Sequence, residues 1–518
     1  MKNSFDRRTF LLVSGAFGAA AAFGPLLAAC GGGDSPMSAT EMGELTATEA
    51  VAAIKEGRLS AELYVQVQLD RAEQLKDLNA FITLNKAGAL RAAREIDAAR
   101  AAGNALPPLA GLVIVVKDNI NFKELPTSAG TAALQNSIAK TTAPSLQKLL
   151  DAGAIVLGKT NMHELAFGIT STNLSSFAGP VKNPYDKTRS PGGSSGGTAV
   201  AIAARIASCG LGSDTGGSTR LPAALTGTVG FRPSVGNGGA QRRYTDTDAV
   251  VPISHTRDTV GPMGRTVADV ALLDSVITGT PMATPATLKG LRLGVPASFW
   301  TGLDTQLAAV MEAARKKLVD AGVVLVDVDM VGLTALNDQV SFPVALHEPL
   351  VDMPAYLAAS GITGVTLADI VAKIASPDVK GAYGAVMADV FAGQYSDAIT
   401  IHRPAMQALY ASYFGDNVLD GMLFPTSILP AVPIDLVNGS GTVSINGGPP
   451  VDEFTTFIRN SDPGSNAGIP GLSVAAGLTA SGLPVGLEID GPVGSDSKLL
   501  SIGLAIEALL GRVPAPSV

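Results

Sequence analysis

Two short apolar runs stand out in the first third of the chain. Leu112-Val113-Ile114-Val115-Val116 follows Gly111 and is rich in β-branched residues, and Ala154-Ile155-Val156-Leu157-Gly158 comes later. Neither alternates with polar positions, so each reads as a strand buried on both faces. Around them the pattern turns helical. Thr46-Ala47-Thr48-Glu49 fits a capping box that opens a helix. Ala87 to Ala102 is dense in strong helix formers, and Ala143 to Ala152 is helical in pattern ahead of the second run. Ala199 to Cys209 fits helix or strand. Leu483 to Ile489 reads as a late strand, Ser497 to Leu510 as a closing helix, and 301–440 as mostly helical with no assignable motif. Buried strands alternating with helices predict an α/β fold. No linker, charge run or repeat divides 41–518, which reads as one large domain.

The beginning of the chain follows another rule. Arg7-Arg8 precedes an apolar stretch from Leu11 to Ala29, which resembles a twin-arginine export signal. The stretch ends in Leu27-Ala28-Ala29-Cys30, which resembles a bacterial lipobox. Residues 1–29 are therefore expected to be a removed signal, Cys30 a lipid anchor, and 30–40 a Gly-rich tether. The mature protein would face the periplasm or exterior, held to the membrane through the lipid on Cys30 only. With Cys30 lipidated, Cys209 has no partner for an intrachain disulfide.

Composition narrows the field. The chain has 518 residues, 46% hydrophobic and 16% charged, with net charge −8, so a buried core is expected and a basic nucleic-acid surface is not. Two cysteines and four scattered histidines give no metal-ligand cluster; neither metal nor cofactor is expected.

Three segments carry chemistry. Val116-Lys117-Asp118-Asn119 ends the first apolar run. A lysine buried without an ionic partner loses its charge readily and can act as a base; alternatively, Lys117 pairs with Asp118 or another carboxylate. Ser190-Pro191-Gly192-Gly193-Ser194-Ser195-Gly196-Gly197 has glycine pairs on both sides of two serines, which permit close backbone approach. Gly212-Ser213-Asp214-Thr215-Gly216-Gly217-Ser218-Thr219-Arg220 can gather backbone N–H groups around a serine hydroxyl, as an oxyanion hole requires. Taken singly, each is also an ordinary turn or anion-binding nest. Gly193 to Gly197 also fits G-x-S-x-G with Ser195 as nucleophile, but no histidine has a suitable context. Ser145-Leu146-Gln147-Lys148 fits S-x-x-K without its companion motifs.

In this order, and with spacings of 194 − 117 = 77 and 218 − 194 = 24 residues, the three segments resemble the amidase signature family. The resemblance runs from about Glu44 to Leu510 and extends to Gly158-Lys159-Thr160-Asn161-Met162-His163-Glu164, Gly230-Phe231-Arg232-Pro233-Ser234 and Asp258-Thr259-Val260-Gly261-Pro262-Met263. It implies one α/β domain with a large mixed, twisted sheet flanked by helices. It further implies Ser218 as nucleophile, Ser194 as a bridging serine on a cis peptide, and Lys117 as base. The N–H groups of Thr215, Gly216, Gly217 and Ser218 would form the oxyanion hole. Asp118, Ser195, Asp214 and Arg220 would support these loops.

The expected reaction is hydrolysis of a carboxylic amide through an acyl-enzyme on Ser218. The broad resemblance is nearest to hydrolases of indoleacetamide and mandelamide, which implies small aryl or arylalkyl amides; anilides, esters and aryl carbamates are open to the same chemistry. Met162, Phe167, Gly168, Ile169 and Asn173 are candidates for the substrate wall, although Phe167 and Ile169 suit core packing equally. A homodimer is left open. Two rival readings are a catalytically idle surface-binding lipoprotein, which the intact triad opposes, and a transamidase-type subunit acting with partners, which the export signal opposes.

Overall fold

In the computed structural model, which describes residues 37–518, the two apolar runs become neighbouring parallel strands. The expected signal, Cys30 and the tether as far as Pro36 lie outside the described residues. In chain order the strands are β1 (Phe81–Leu84), β2 (Val113–Lys117), β3 (Ile155–Thr160), β4 (Cys209–Asp214), β5 (Val229–Arg232), β6 (Thr259–Gly264), β7 (Arg292–Gly294), β8 (Val324–Val326), β9 (Gly421–Pro425), β10 (Thr442–Val443), β11 (Val451–Asp452), β12 (Gly471–Leu478) and β13 (Pro484–Asp490). Eleven of them build one sheet in the order β1-β3-β2-β4-β6-β5-β12-β13-β9-β7-β8, and β10 pairs with β11 separately. The sheet is mixed: β2 runs parallel to β3 and β4, whereas β4 and β6, or β12 and β13, are antiparallel. The helix Pro144–Asp151 makes the crossover that a parallel β2–β3 pair needs.

Strand periodicity decides which side chains reach the site. On β2, Ile114 and Val116 join a core cluster with Leu146, Leu149, Leu273 and Ile277. Lys117 is in step with Val113 and Val115 and so points to the other side of the sheet. On β12 and β13, Leu472, Val474, Val485, Leu487 and Ile489 pack with the helices Thr305–Asp320 and Asp496–Leu510. The alternate residues meet the buried helix Arg220–Thr226: Gly486 lies against Ala224, and Glu488 pairs with Arg220.

The ambiguous stretch from Ala199 to Cys209 divides. The helix Gly196–Ala203 ends, Arg205 takes a positive φ of 63°, and its guanidinium donates to Ala203 O before β4 begins. The capping box at Thr46 is present, with Thr46 N donating to the Glu49 carboxylate at 2.8 Å. Residues 301–440 are mainly helical, but β8 and β9 also arise there, too short to show a period. No helix among the described residues is long and apolar enough to cross a membrane.

Candidate active site

The C-terminal ends of parallel β2 and β4 deliver Lys117 and Asp214 side by side, the position where open α/β sheets hold their ligands. Lys117 is fully buried. Its Nζ lies 2.8 Å from Ser194 Oγ, 2.8 Å from Ser213 Oγ and 3.3 Å from Ser213 O. Burial pushes its pKa down to about 7, against the pull of the Asp214 and Asp258 carboxylates. The alternative pairing with Asp118 does not form. Asp118 faces Lys159 at 3.5 Å and accepts from Ser128 N at 3.0 Å, so it anchors the neighbouring turn. Ser213 and Asn119 were not singled out in the sequence. Asn119 Nδ2 donates to Ser213 Oγ at 2.9 Å, so that hydroxyl has two donors converging on it. A hydroxyl inside a strand carries no signal of such a role.

Both serine loops run into helices on the same side. The Gly193–Ser194 peptide is cis. Gly197 is required there, because a Cβ would sit 2.2 Å from Asn161 O. Ser195 is buried; its Oγ donates to Ser213 O at 3.2 Å, and its N–H donates to Ser218 O at 3.1 Å. Ser195 thereby ties the two loops together and does not face the cleft. Ser218 does reach the cleft. Among the described residues no hydrogen bond joins Ser194 Oγ to Ser218 Oγ.

Asp214 is the hub of the second loop. Its carboxylate accepts from the N–H groups of Gly217 (2.9 Å) and Thr219 (3.1 Å), and pairs with Arg220 (3.0 Å) and Arg232 (3.1 Å). Burial would raise its pKa, but the two guanidiniums hold it well below the usual carboxylate range. Arg220 also pairs with Glu488, so the loop is clamped to β13. The expected oxyanion set needs one correction. The Gly217 N–H is already committed to Asp214, and Gly217 has φ +134° with Ser461 Oγ 2.3 Å from where a Cβ would be. Its place is in the brace of the loop. The N–H groups of Thr215, Gly216 and Ser218 make no hydrogen bond among the described residues.

Ser218 lines a cleft at the surface of the domain. Phe167, Gly168 and Ile169 line it. Met162 and Asn173 do not: Met162 is buried in the core, and Asn173 Nδ2 donates to Gly130 O at 2.8 Å. The remaining wall comes from residues without a sequence signal, chiefly Ile253, Phe342, Phe454 and Ile458, together with Arg257 and Asp462. Phe342 belongs to the helix Leu333–Ala345, which brings the 301–440 region to the site.

The rival motifs are dispersed. The hydroxyl of Ser145 pairs with Asp246, whereas Lys148 donates to Ile277 O. His255 pairs with Asp352 at 2.9 Å and His347 with Asp389 at 2.7 Å, and neither lines the cleft. His255, Glu348 and Asp352 could offer ligand atoms within 4.8 Å of one another, but none of them lines the cleft of Ser218, and His255 pairs with both carboxylates.

Together, the mixed sheet and the converging lysine and serine loops define an amide hydrolase of α/β architecture. Comparison with known proteins agrees. The family described as Amidase matches residues 64–500. The indoleacetamide hydrolase of Rhizobium radiobacter is 42% identical over 451 residues, covering 86% of this chain and 93% of that protein. The mandelamide hydrolase of Pseudomonas putida is 40% identical over 490 residues, covering 92% and 93%. The native peptide amidase of Stenotrophomonas maltophilia superimposes with a TM-score of 0.74 at 30% identity, covering 91% of this chain and 98% of that one. The chain belongs to the amidase family and is an amide-hydrolysing enzyme.

Proposed function

We propose that this enzyme hydrolyses small aryl or arylalkyl amides through an acyl-enzyme on Ser218. The observation that carries the reading is Lys117 Nζ, buried with a pKa near 7, 2.8 Å from Ser194 Oγ beside a cleft that contains Ser218. A neutral amine has two N–H donors and one lone pair. Ser213 O and Oγ take the two donors, which leaves the lone pair for the Ser194 hydroxyl proton. Ser218 Oγ then attacks the carbonyl carbon and passes its proton to Ser194 Oγ as Ser194 passes its own to Lys117. The Ser194–Ser218 link closes when substrate fills the cleft, since such contacts tighten in the bound complex. The N–H groups of Thr215, Gly216 and Ser218 hold the oxyanion. On collapse the proton returns through Ser194 to the departing nitrogen, the C–N bond breaks, and an ester remains on Ser218. Water attacks that ester by the same relay and releases the acid.

The wall of Phe167, Ile169, Phe342 and Phe454 suits an aromatic acyl group, in keeping with the named substrates of the two relatives. The same relay can attack anilides, esters and aryl carbamates. The test is a panel of primary amides, anilides and aryl carbamates on purified protein, with Ser218→Ala alongside. Turnover lost in the variant supports the assignment; equal turnover refutes it. We also propose, from Arg7-Arg8 and Leu27-Ala28-Ala29-Cys30, that the enzyme is exported and anchored by lipid on Cys30. Cys30→Ala should then release it from the membrane fraction and abolish incorporation of labelled fatty acid; unchanged labelling would refute the anchor.

A further inference from the structure

Two charged side chains line an otherwise uncharged cleft, and they are bound to each other. Arg257 Nη2 donates to Asp462 Oδ1. Both side chains are nearly buried, at 4% and 2% exposure. Arg257 is fixed further by Nε to Thr215 O (3.2 Å) and Nη1 to Ser341 O (3.2 Å). The second oxygen of Asp462 accepts from Asn337 Nδ2 and Asn466 Nδ2, each at 3.0 Å. The pair touches the loop that carries the nucleophile: Arg257 Nη2 and Asp462 Oδ1 both lie 3.0 Å from where a Cβ on Gly216 would stand.

We propose that the Arg257–Asp462 pair is a charge filter for the acyl group. This rests on the amidase reading above and specifies the substrate class: uncharged amides, with those bearing a carboxylate or an ammonium rejected. Each charge in the wall is neutralised by the other, so the cleft presents no net charge to its contents. A carboxylate entering it loses its hydration and meets a guanidinium whose near N–H is occupied and whose partner repels it. An ammonium meets the reverse. In an otherwise uncharged cleft neither is compensated, whereas a neutral ring has no such charge to desolvate. Removing one member leaves the other as an unpaired buried charge that a substrate of opposite sign can satisfy.

The experiment compares phenylacetamide with its 4-carboxy and 4-aminomethyl derivatives, in the wild type, Asp462→Asn, Arg257→Gln and the double variant. The wild type should prefer the neutral amide over either charged one by at least about 100-fold in kcat/KM. Asp462→Asn should move the carboxylate-to-neutral ratio upward by at least about 10-fold, mainly through KM, and Arg257→Gln should do the same for the ammonium. The double variant should restore the preference for the neutral amide. A merely structural pair would lower all three substrates in parallel, which would overturn the proposal, as would a wild type indifferent to charge. If one single variant fails to fold, the other carries the test. If the wild type turns over no amide at all, the amidase reading fails instead. Calorimetric binding of the three amides to Ser218→Ala then reads the filter alone: equal binding of neutral and charged amides overturns it, and preferential binding of the neutral one upholds it.

Discussion

The proton relay makes a definite claim about pH. Lys117 acts only when its amine is neutral, and burial brings its pKa from 10.5 to about 7. The fraction neutral is then about one tenth at pH 6, one half at pH 7 and nine tenths at pH 8. On a neutral amide, which does not titrate in this range, kcat/KM should therefore rise about tenfold between pH 6 and pH 8 and level off above. The sign follows from the charge: acid protonates the lone pair that must take the Ser194 proton. Lys117→Met keeps the unbranched apolar stem of the side chain and removes the amine. It should abolish the limb and lower kcat/KM by a factor of about 10² to 10⁴. The assay is initial-rate kinetics from about pH 5.5 to about 10.5, with the thermal midpoint recorded at each pH to separate titration from unfolding. A wild-type limb near pH 10 would mean that Lys117 stays cationic in the folded enzyme, and a flat profile would remove it from the proton relay.

Other consequences follow from single contacts. Ser218→Ala should lose labelling by a fluorophosphonate along with turnover; persistent labelling at Ser195 would restore the elbow reading. Ser213→Ala removes the hydroxyl that Lys117 and Asn119 both address, and should lower kcat by about 10-fold with KM little changed; steady-state kinetics decide it. Asp214→Asn leaves Arg220 and Arg232 without their shared anion and should destabilise the fold by about 3–5 kcal/mol in urea unfolding at pH 7. Since the folded pKa of Asp214 is depressed, its contribution is present above the unfolded carboxylate range and is lost as pH falls, so the gap between wild type and variant should shrink in acid.

How much of this was legible depends on whether a residue's role is local. The strands β2 and β3 showed themselves as unbroken apolar runs because they are buried on both faces. The glycine-flanked serines showed themselves because close backbone approach permits few other residues. Asp462, Phe342 and Phe454 lie far along the chain from Ser218 and belong to helices of ordinary composition; only the fold brings them to the cleft. Met162 and Asn173 failed as wall residues for the converse reason. They lie near Phe167 in sequence, but their side chains turn into the core and to Gly130 O. The alternative pairing of Lys117 with Asp118 fails because Asp118 lies in the turn just past β2, where Lys159 on β3 claims it.

The same alternation sets a conflict between stability and function at Lys117. Val113 to Val116 are wholly buried, and each contributes roughly 1.5–3 kcal/mol. The next residue is a buried lysine. An unfolded chain binds its proton up to about pH 10.5, the folded one only to about 7. Folding therefore forgoes a proton between these limits, a penalty of about 5 kcal/mol at and below pH 7 that fades as pH rises to 10.5. The hydrogen bonds to Ser194 and Ser213 return about 1 kcal/mol each. Lys117→Met should thus be more stable than the wild type by about 2–3 kcal/mol at pH 7, the difference passing through zero near about pH 9 and reversing above it. Urea unfolding at several pH values measures it. A variant that is less stable at pH 7, or a difference that ignores pH, would show that the lysine is carried for the fold. The expected result would show instead that a β-strand end tolerates it for its lone pair.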